Sequence, residues 1–490
     1  MRGYYKIILL LLMIHAVLLA IFVTARIADY DEGFYSIAAL MMHQGFQPYT
    51  DFFFMQMSML PTLFAPFATG GWQSFFVLRI FAALAGILSA LMLTVIVNKM
   101  TKDMKVTLIA LFLYALNGLF VIWHTTFKAL PFTHFLSLAT FFFWLRYYEK
   151  RKISDLILTG LLLSALINFR SVFIVLLPLY LISIIVLSQN RKGRNLAVFL
   201  ISLVPFAVPT LVRLYQSSAS FIYGNLMFHL YRDIDRGFLS ILGSKLDVFT
   251  KVIIDPQLLI ILVLVLFSVI GLARSGMKLP RDLFGTPAGM ALMNFVLIFV
   301  VYLLPHPMTR QYIEQYLGFA IIIIAMSLPA LLKWFENHVR AVQRKRFIAA
   351  IAAVYILGIV PYFVIFIFGV RAHDNRYRLS EIKKVTTKML ALGGETDIVL
   401  SEWPGYLYLT RQVPLRYTEI YAHEYDLPLT HEEFLKYNLC DRIYLRDKIE
   451  DKSPALVVNV YETPDYYADL LDSNYALAFQ SDVVSIYKRR

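Results

Sequence analysis

About eleven stretches of roughly 17–25 apolar, nearly uncharged residues run along this chain, each long enough to cross a lipid bilayer. They lie near 7–25, 75–97, 106–122, 130–145, 153–168, 171–188, 195–213, 252–272, 286–304, 313–332 and 348–369. Hydrocarbon offers no partner to a backbone N–H or C=O, so segments of this kind cross as helices or as closed barrels. Runs without strict alternation select helices. The expected fold is therefore an all-α polytopic membrane domain over residues 1–370, followed by a soluble domain over 371–490.

Charge supports this layout. Before residue 371 there are 30 Lys/Arg against 14 Asp/Glu, and beyond it 16 against 19. The excess of +13 thus belongs to the membrane part, which argues against nucleic acid as a partner. Alternate connections are basic: Arg2/Lys6, Lys99/Lys102/Lys105, Arg146/Lys150/Arg151/Lys152, Arg191/Lys192/Arg194, Arg274/Lys278/Arg281 and Lys333/Arg340/Arg344/Lys345/Arg346. The positive-inside rule places these in the cytoplasm, with the N-terminus inside and the C-terminal domain outside. Merging the fifth and sixth runs, joined by Asn168-Phe169-Arg170, would break the alternation, so they are read as two spans. No small-residue cleavage site follows the first run, which reads as a retained anchor. A bacterial cytoplasmic (inner) membrane is the default location. The single cysteine, Cys440, excludes an intrachain disulfide.

Two outer connections are long, residues 26–74 and 214–251, and long segments beside a membrane carry function more often than short ones. In the first, Phe34, Ile37, Ala38 and Met41 recur at helical spacing up to Gly45, which predicts an amphipathic helix lying in the membrane interface. Asp29, Asp31 and Glu32 cluster at its start, and Asp51 follows in Pro48-Tyr-Thr-Asp-Phe-Phe-Phe. Asp31 and Glu32 can cap that helix, and the same position favours a negative charge suited to a general base.

The order Tyr30-Asp31-Glu32-Gly-Phe-Tyr, His43-Gln-Gly45, Pro48-Tyr49-Thr-Asp51-Phe-Phe and Pro61 resembles the first outer loop of GT-C glycosyltransferases, in the branch of protein O-mannosyltransferases and lipid A aminoarabinose transferase. His306-Pro-Met-Thr-Arg310-Gln-Tyr312 before a late span, and a soluble tail ending Val484-Ser-Ile-Tyr-Lys-Arg-Arg490, continue the likeness. The resemblance implies a GT-C type fold, a polyprenyl-phosphate sugar as donor, transfer on the extracytoplasmic face and a catalytic carboxylate at Asp31. Many relatives carry a lysine motif where this chain reads Met55-Gln56-Met57-Ser58-Met59-Leu60-Pro61, so Gln56 offers a hydrogen bond there but no charge.

Other cations must then face the donor phosphate. Lys128, Arg170 and Arg310 sit near outer span ends, where a charge either snorkels to headgroups or serves a site. Arg310 is crowded by His306, Gln311 and Tyr312 in one tight turn. Asn225, His229, Tyr231, Arg232, Asp233, Asp235 and Arg236 read as a self-paired solvated loop, and His43 as the polar edge of its helix. No metal-ligand spacing occurs, so neither a divalent metal nor any other cofactor is expected.

Residues 371–490 alternate expected strands (397–401, 442–445, 455–460) with expected helices (379–392, 431–437, 464–471), a small α/β domain without a Gly-rich phosphate loop. Tyr406, Tyr408, Tyr417, Tyr421 and Tyr425 read as strand and surface aromatics. The sequence thus points to a glycosyltransferase moving one sugar to a lipid, glycan or protein acceptor, with Glu32 orienting and Asp31 taking the proton. A transporter or flippase of lipid-linked sugars, and a ligase or polymerase using diphosphate-linked glycans, stand beside it. The first would favour internal repeats and mid-membrane charges, which the sequence does not display.

Overall fold

A computed structural model describes residues 2–188, 191–231, 237–274, 281–304, 308–369, 376–420, 427–460 and 463–490. Each of the eleven apolar stretches is helical. Five helices are long and apolar enough to cross a membrane: Gly3–Ala25, Gly71–Thr101, Lys192–Gln216, Arg310–His338 and Ala341–Phe366. Shorter apolar helices run over Met104–Ala115, Ile153–Phe169, Ser171–Leu187 and Pro287–Leu303, and Leu239–Ile254 meets Pro256–Gly271 at a 94° bend. The chain is a multi-pass membrane protein.

Several expected spans are broken rather than continuous, and the breaks are stitched. The stretch 106–122 stops at Leu116 and restarts at Gly118, with the Asn117 side chain accepting from the Leu119 N–H at 3.0 Å. Gln257 accepts from the Gly118 N–H at 2.8 Å and donates to the Leu116 carbonyl at 2.8 Å and the Tyr355 carbonyl at 2.7 Å. Freed backbone groups in a membrane bundle need such partners. Arg170 ends the Ile153–Phe169 helix, and Leu176–Leu187 is a separate one, so the fifth and sixth stretches are two helices.

Tyr30–His43 is the helix expected after the first span, but it does not lie one-sided in an interface. Every residue from Glu32 to Met41 is buried. One side packs on Met59–Phe64 and Ala65–Phe67 of the same loop, and the other is covered by Pro404–Thr410, a fully buried helix of the C-terminal domain. Gly33 permits this approach: a Cβ there would lie 2.6 Å from Trp403 Nε1 and 2.7 Å from the Gly405 nitrogen. Trp403 Nε1 donates to the Tyr30 carbonyl at 3.2 Å. Tyr406 and Tyr408 are accordingly core residues of this junction and not surface aromatics, whereas Tyr421 and Tyr425 lie outside the described residues.

The C-terminal domain carries a five-stranded sheet in the order β2-β1-β3-β5-β4, formed by β1 (Ile398–Ser401), β2 (Val413–Pro414), β3 (Leu456–Asn459), β4 (Tyr475–Gln480) and β5 (Ser485–Arg489). The first three strands run parallel, and β5 pairs antiparallel with both β3 and β4. The expected strand at 442–445 is instead the start of a helix, Arg442–Glu450. Asp441 caps it through the Tyr444 N–H at 2.8 Å, and Leu445 and Ile449, four apart, are buried while Ile443 is exposed. Cys440 is buried and unbridged.

Candidate active site

The C-terminal end of the first span is fixed by one buried ion pair. Arg79, from the Gly71–Thr101 helix, grips Glu32 with Nε at 2.7 Å from Oε1 and Nη2 at 2.7 Å from Oε2, both side chains being inaccessible to solvent. Its other N–H groups reach the carbonyls of Val23 and Arg26 at 3.1 Å and Ile27 at 3.3 Å, which are the open carbonyls where the first helix ends. Glu32 also accepts from the Phe127 N–H at 3.2 Å and the Asp29 N–H at 3.4 Å. Glu32 therefore ties the first span, the 30–43 helix, the 71–101 helix and the segment before Lys128 into one unit.

Asp29 is the N-cap of the 30–43 helix, accepting from the Asp31 N–H at 3.0 Å, and Glu32 closes the capping box. Capping thus falls to Asp29 and Glu32, and the Asp31 side chain is left for other work. Lys128 Nζ lies 2.8 Å from Asp29 Oδ1, 2.7 Å from Asp31 Oδ2 and 2.7 Å from Gln311 Oε1. Three acceptors match the three N–H bonds of an ammonium. The Lys128 side chain is buried, while 41% of the Asp31 side chain is exposed. Burial alone would lower the Lys128 ammonium, but the charges of Asp29 and Asp31 outweigh it and hold it above its ordinary value. Burial likewise pushes Asp29 up, and Lys128 followed by Arg26 holds it below the usual carboxylate range.

Arg170 lies against both Tyr302 and Tyr312, its guanidinium carbon 5.2 Å and 5.0 Å from their ring centroids, which are 5.1 Å apart. Tyr35, one helical turn after Asp31, is in electrostatic reach of Arg170, Asp31, Tyr312 and Tyr302, and its hydroxyl donates to the Gln56 side chain. Asp31, Lys128, Gln56, Arg170 and Tyr312 thus come together at one site. Arg310 does not join them directly: it binds Asp255 and the Tyr362 hydroxyl, the latter at 2.5 Å. Asp51 is exposed and accepts from the Gln47 N–H at 2.6 Å, closing its own turn away from the cluster. His43 is exposed at the helix end, His229 meets the Met55 carbonyl at 2.7 Å, and His306, Asp233 and Asp235 lie outside the described residues.

Arg79, His124, His134 and Glu314 were not singled out from the sequence. The available signal was an ionisable group inside an apolar run, which marks a functional or structural site by default.

A family model described as dolichyl-phosphate-mannose-protein mannosyltransferase matches residues 63–212. No curated protein sequence matches the chain. Among solved structures, ArnT from Cupriavidus metallidurans bound to undecaprenyl phosphate superposes with a TM-score of 0.65 at 15% identity, over 98% of this chain and 97% of that one. The chain has the GT-C fold. The apo form of ArnT gives a TM-score of 0.66 at 13% identity over the same shares of the two chains. The archaeal oligosaccharyltransferase AglB from Archaeoglobus fulgidus, in complex with an inhibitory peptide and a dolichol-phosphate, gives 0.55 at 14% identity, over 100% of this chain and 74% of that one. In the GT-C architecture of this chain, the cluster around Asp31 is assembled by the 26–74 loop, the segment before the 129–150 helix and the 310–312 turn that leads into the 313–338 helix.

Proposed function

We propose that this chain is a glycosyltransferase that moves a sugar from a polyprenyl phosphate to a lipid, glycan or protein acceptor outside the cytoplasmic membrane, with inversion. The observation that carries the reading is a part-exposed carboxylate, Asp31, held at the outer exit of the first span by a buried ammonium. The GT-C fold and its likeness to an ArnT bound to undecaprenyl phosphate support the donor class. The basic alternate loops support an inside N-terminus and an outside C-terminal domain.

In this reading Asp31 takes the proton of the acceptor hydroxyl as its oxygen attacks the anomeric carbon. The bond from that carbon to the phosphate oxygen breaks, and the polyprenyl phosphate leaves as a stable anion, so no strong acid is needed. Arg170, with Gln56 and the Tyr312 hydroxyl, faces the phosphate. Arg310 is committed to Asp255 and keeps the 310–312 turn in place. Lys128 supplies the positive charge between Asp29 and Asp31.

Asp31→Asn tests this. The amide keeps the shape, and Asp29 remains to cap the helix, so expression and donor binding should be retained while turnover falls by about 10²–10⁴-fold. Turnover close to that of the parent chain would remove Asp31 from the mechanism. Addition of one sugar per acceptor, read by mass, separates this activity from block transfer of an oligosaccharide.

A further inference from the structure

Beneath the outer site, three elements bring together a second constellation that the transfer reaction does not use. His124 follows the Gly118–Trp123 helix, His134 lies on Ala129–Lys150, and Glu314 stands in the first turn of Ile313–His338. The side chains of His124 and Glu314 are fully buried, and that of His134 is 1% exposed. Glu314 Oε1 is 2.6 Å from His124 Nε2 and 3.2 Å from His134 Nδ1. One ligand atom from each of the three residues lies within 4.8 Å of the others.

The surroundings are built around these rings. A Cβ on Gly86 would fall 2.9 Å from His124 Nδ1, and one on Gly318 would fall 2.9 Å from His134 Nε2, so two helices carry glycine where the imidazoles pass. Phe120 walls both rings, with centroids at 5.4 Å and 5.0 Å. Glu314 is aimed from behind: Gln315 donates to its Oε2 and to the Leu130 carbonyl at 3.0 Å, and accepts from the Thr133 hydroxyl at 2.7 Å. A supporting hydrogen bond that orients a carboxylate is what a metal ligand receives from its neighbours.

Hydrogen bonding alone does not account for the cluster. Neither ring nitrogen of His134 makes a hydrogen bond in its buried position. The 3.2 Å between His134 Nδ1 and Glu314 Oε1 lacks the direction of one. Two ligand atoms sharing a tetrahedral ion at about 2.0–2.1 Å lie about 3.3 Å apart without pointing at one another. A carboxylate sealed in a bundle also needs a compensating charge. Two imidazoles and one carboxylate form a donor set for a first-row divalent ion, zinc above all.

We propose that His124, His134 and Glu314 hold a structural zinc ion in the bundle. The ion is closed to the donor and clamps the start of the 313–338 helix to the segment that ends at Lys128. Gln311, which anchors Lys128, lies three residues before Glu314 on that same turn. The site stands independently of the transferase reading.

The test uses the full-length chain, purified in detergent with a tag that carries no histidine. Elemental analysis should find one zinc per chain, and loading with Co(II) should give the visible absorption of a tetrahedral N/O site. A strong chelator should lower the melting temperature, and added Zn(II) should restore it. His124→Gln with His134→Gln should remove the bound ion. Metal-free parent protein whose melting temperature ignores both chelator and Zn(II) would overturn the site, as would unchanged zinc content in the double variant, which marks an adventitious ion. If the double variant fails to fold, the zinc content and chelator response of the parent chain decide the question alone.

Discussion

Arg79→Met should be among the most damaging single changes outside the catalytic residues. Methionine retains much of the stem but removes five N–H groups, all engaged: two on Glu32 at 2.7 Å and three on the carbonyls of Val23, Arg26 and Ile27 at 3.1–3.3 Å. Glu32 would keep only the backbone donors of Phe127 and Asp29, at 3.2 Å and 3.4 Å, in a position sealed from water. Breaking a buried pair from one side costs about 3–5 kcal/mol, and the orphaned carbonyls press toward the upper end of that range. Against a typical total of about 5–15 kcal/mol this is a large share. Arg79→Lys should recover little, because one ammonium cannot span a carboxylate and three carbonyls. Glu32→Leu combined with Arg79→Met should fall between the single variant and the parent chain, since the stranded charge is gone while the carbonyls remain open. A thiol-reactive dye can follow melting through the single buried Cys440, with tryptophan fluorescence as a second probe. An Arg79→Met chain that melts with the parent would refute the view that this pair holds the 26–74 loop.

Arg170→Ala should weaken donor binding by about 10–100-fold, as expected for loss of a charged hydrogen bond, while acceptor binding changes little; equal donor affinity by direct titration would displace Arg170 from the phosphate. Arg310→Ala should instead lower the melting temperature by removing the charge partner of the buried Asp255, which keeps only Tyr362 and two backbone N–H groups, with donor affinity largely kept. Gly33→Ala sets a helix-propensity gain against a Cβ 2.6 Å from Trp403; the clash should prevail at about 1–3 kcal/mol and expose the C-terminal domain to limited proteolysis, whereas a stabilised variant would contradict the tight junction. Glu419, outside the membrane part, is pushed up to about 7 by burial, with nearby backbone N–H groups and Arg416 opposing. Its folded form therefore binds a proton that the unfolded chain has released, so C-terminal stability should drop as pH rises from the ordinary carboxylate range to about 7, by on the order of 3 kcal/mol. Glu419→Gln should flatten that profile. Tags after Arg490 should be accessible from outside intact cells and the 333–346 loop protected; the reverse pattern would invert the proposed orientation.

Length, hydropathy and loop charge were sufficient for the membrane class and the eleven helical stretches, because a bilayer imposes these locally on any chain. The acidic start of the 30–43 helix was legible for the same reason: capping is a matter of a few consecutive residues. Breaks within the helices were not, since Asn117 and Gln257 interrupt a run only by exchanging hydrogen bonds with partners far along the chain. The helix at 442–450 was mistaken for a strand because four apolar-rich residues do not separate period 2 from period 3.6, and its cap and the burial of Leu445 and Ile449 decided it. Tertiary structure alone assigned the charges. Sequence offered Lys128, Arg170 and Arg310 as edge cations, with Arg310 set apart by its crowded turn. Folding gave Lys128 to two aspartates, Arg310 to Asp255 and Arg170 to a tyrosine pair. It also joined Arg79 to Glu32, and Glu314 to two histidines 190 and 180 residues earlier in the chain. Apolar periodicity is a property of neighbours in sequence, whereas the partner of a buried charge is chosen by whichever segment the packed bundle brings within about 3 Å.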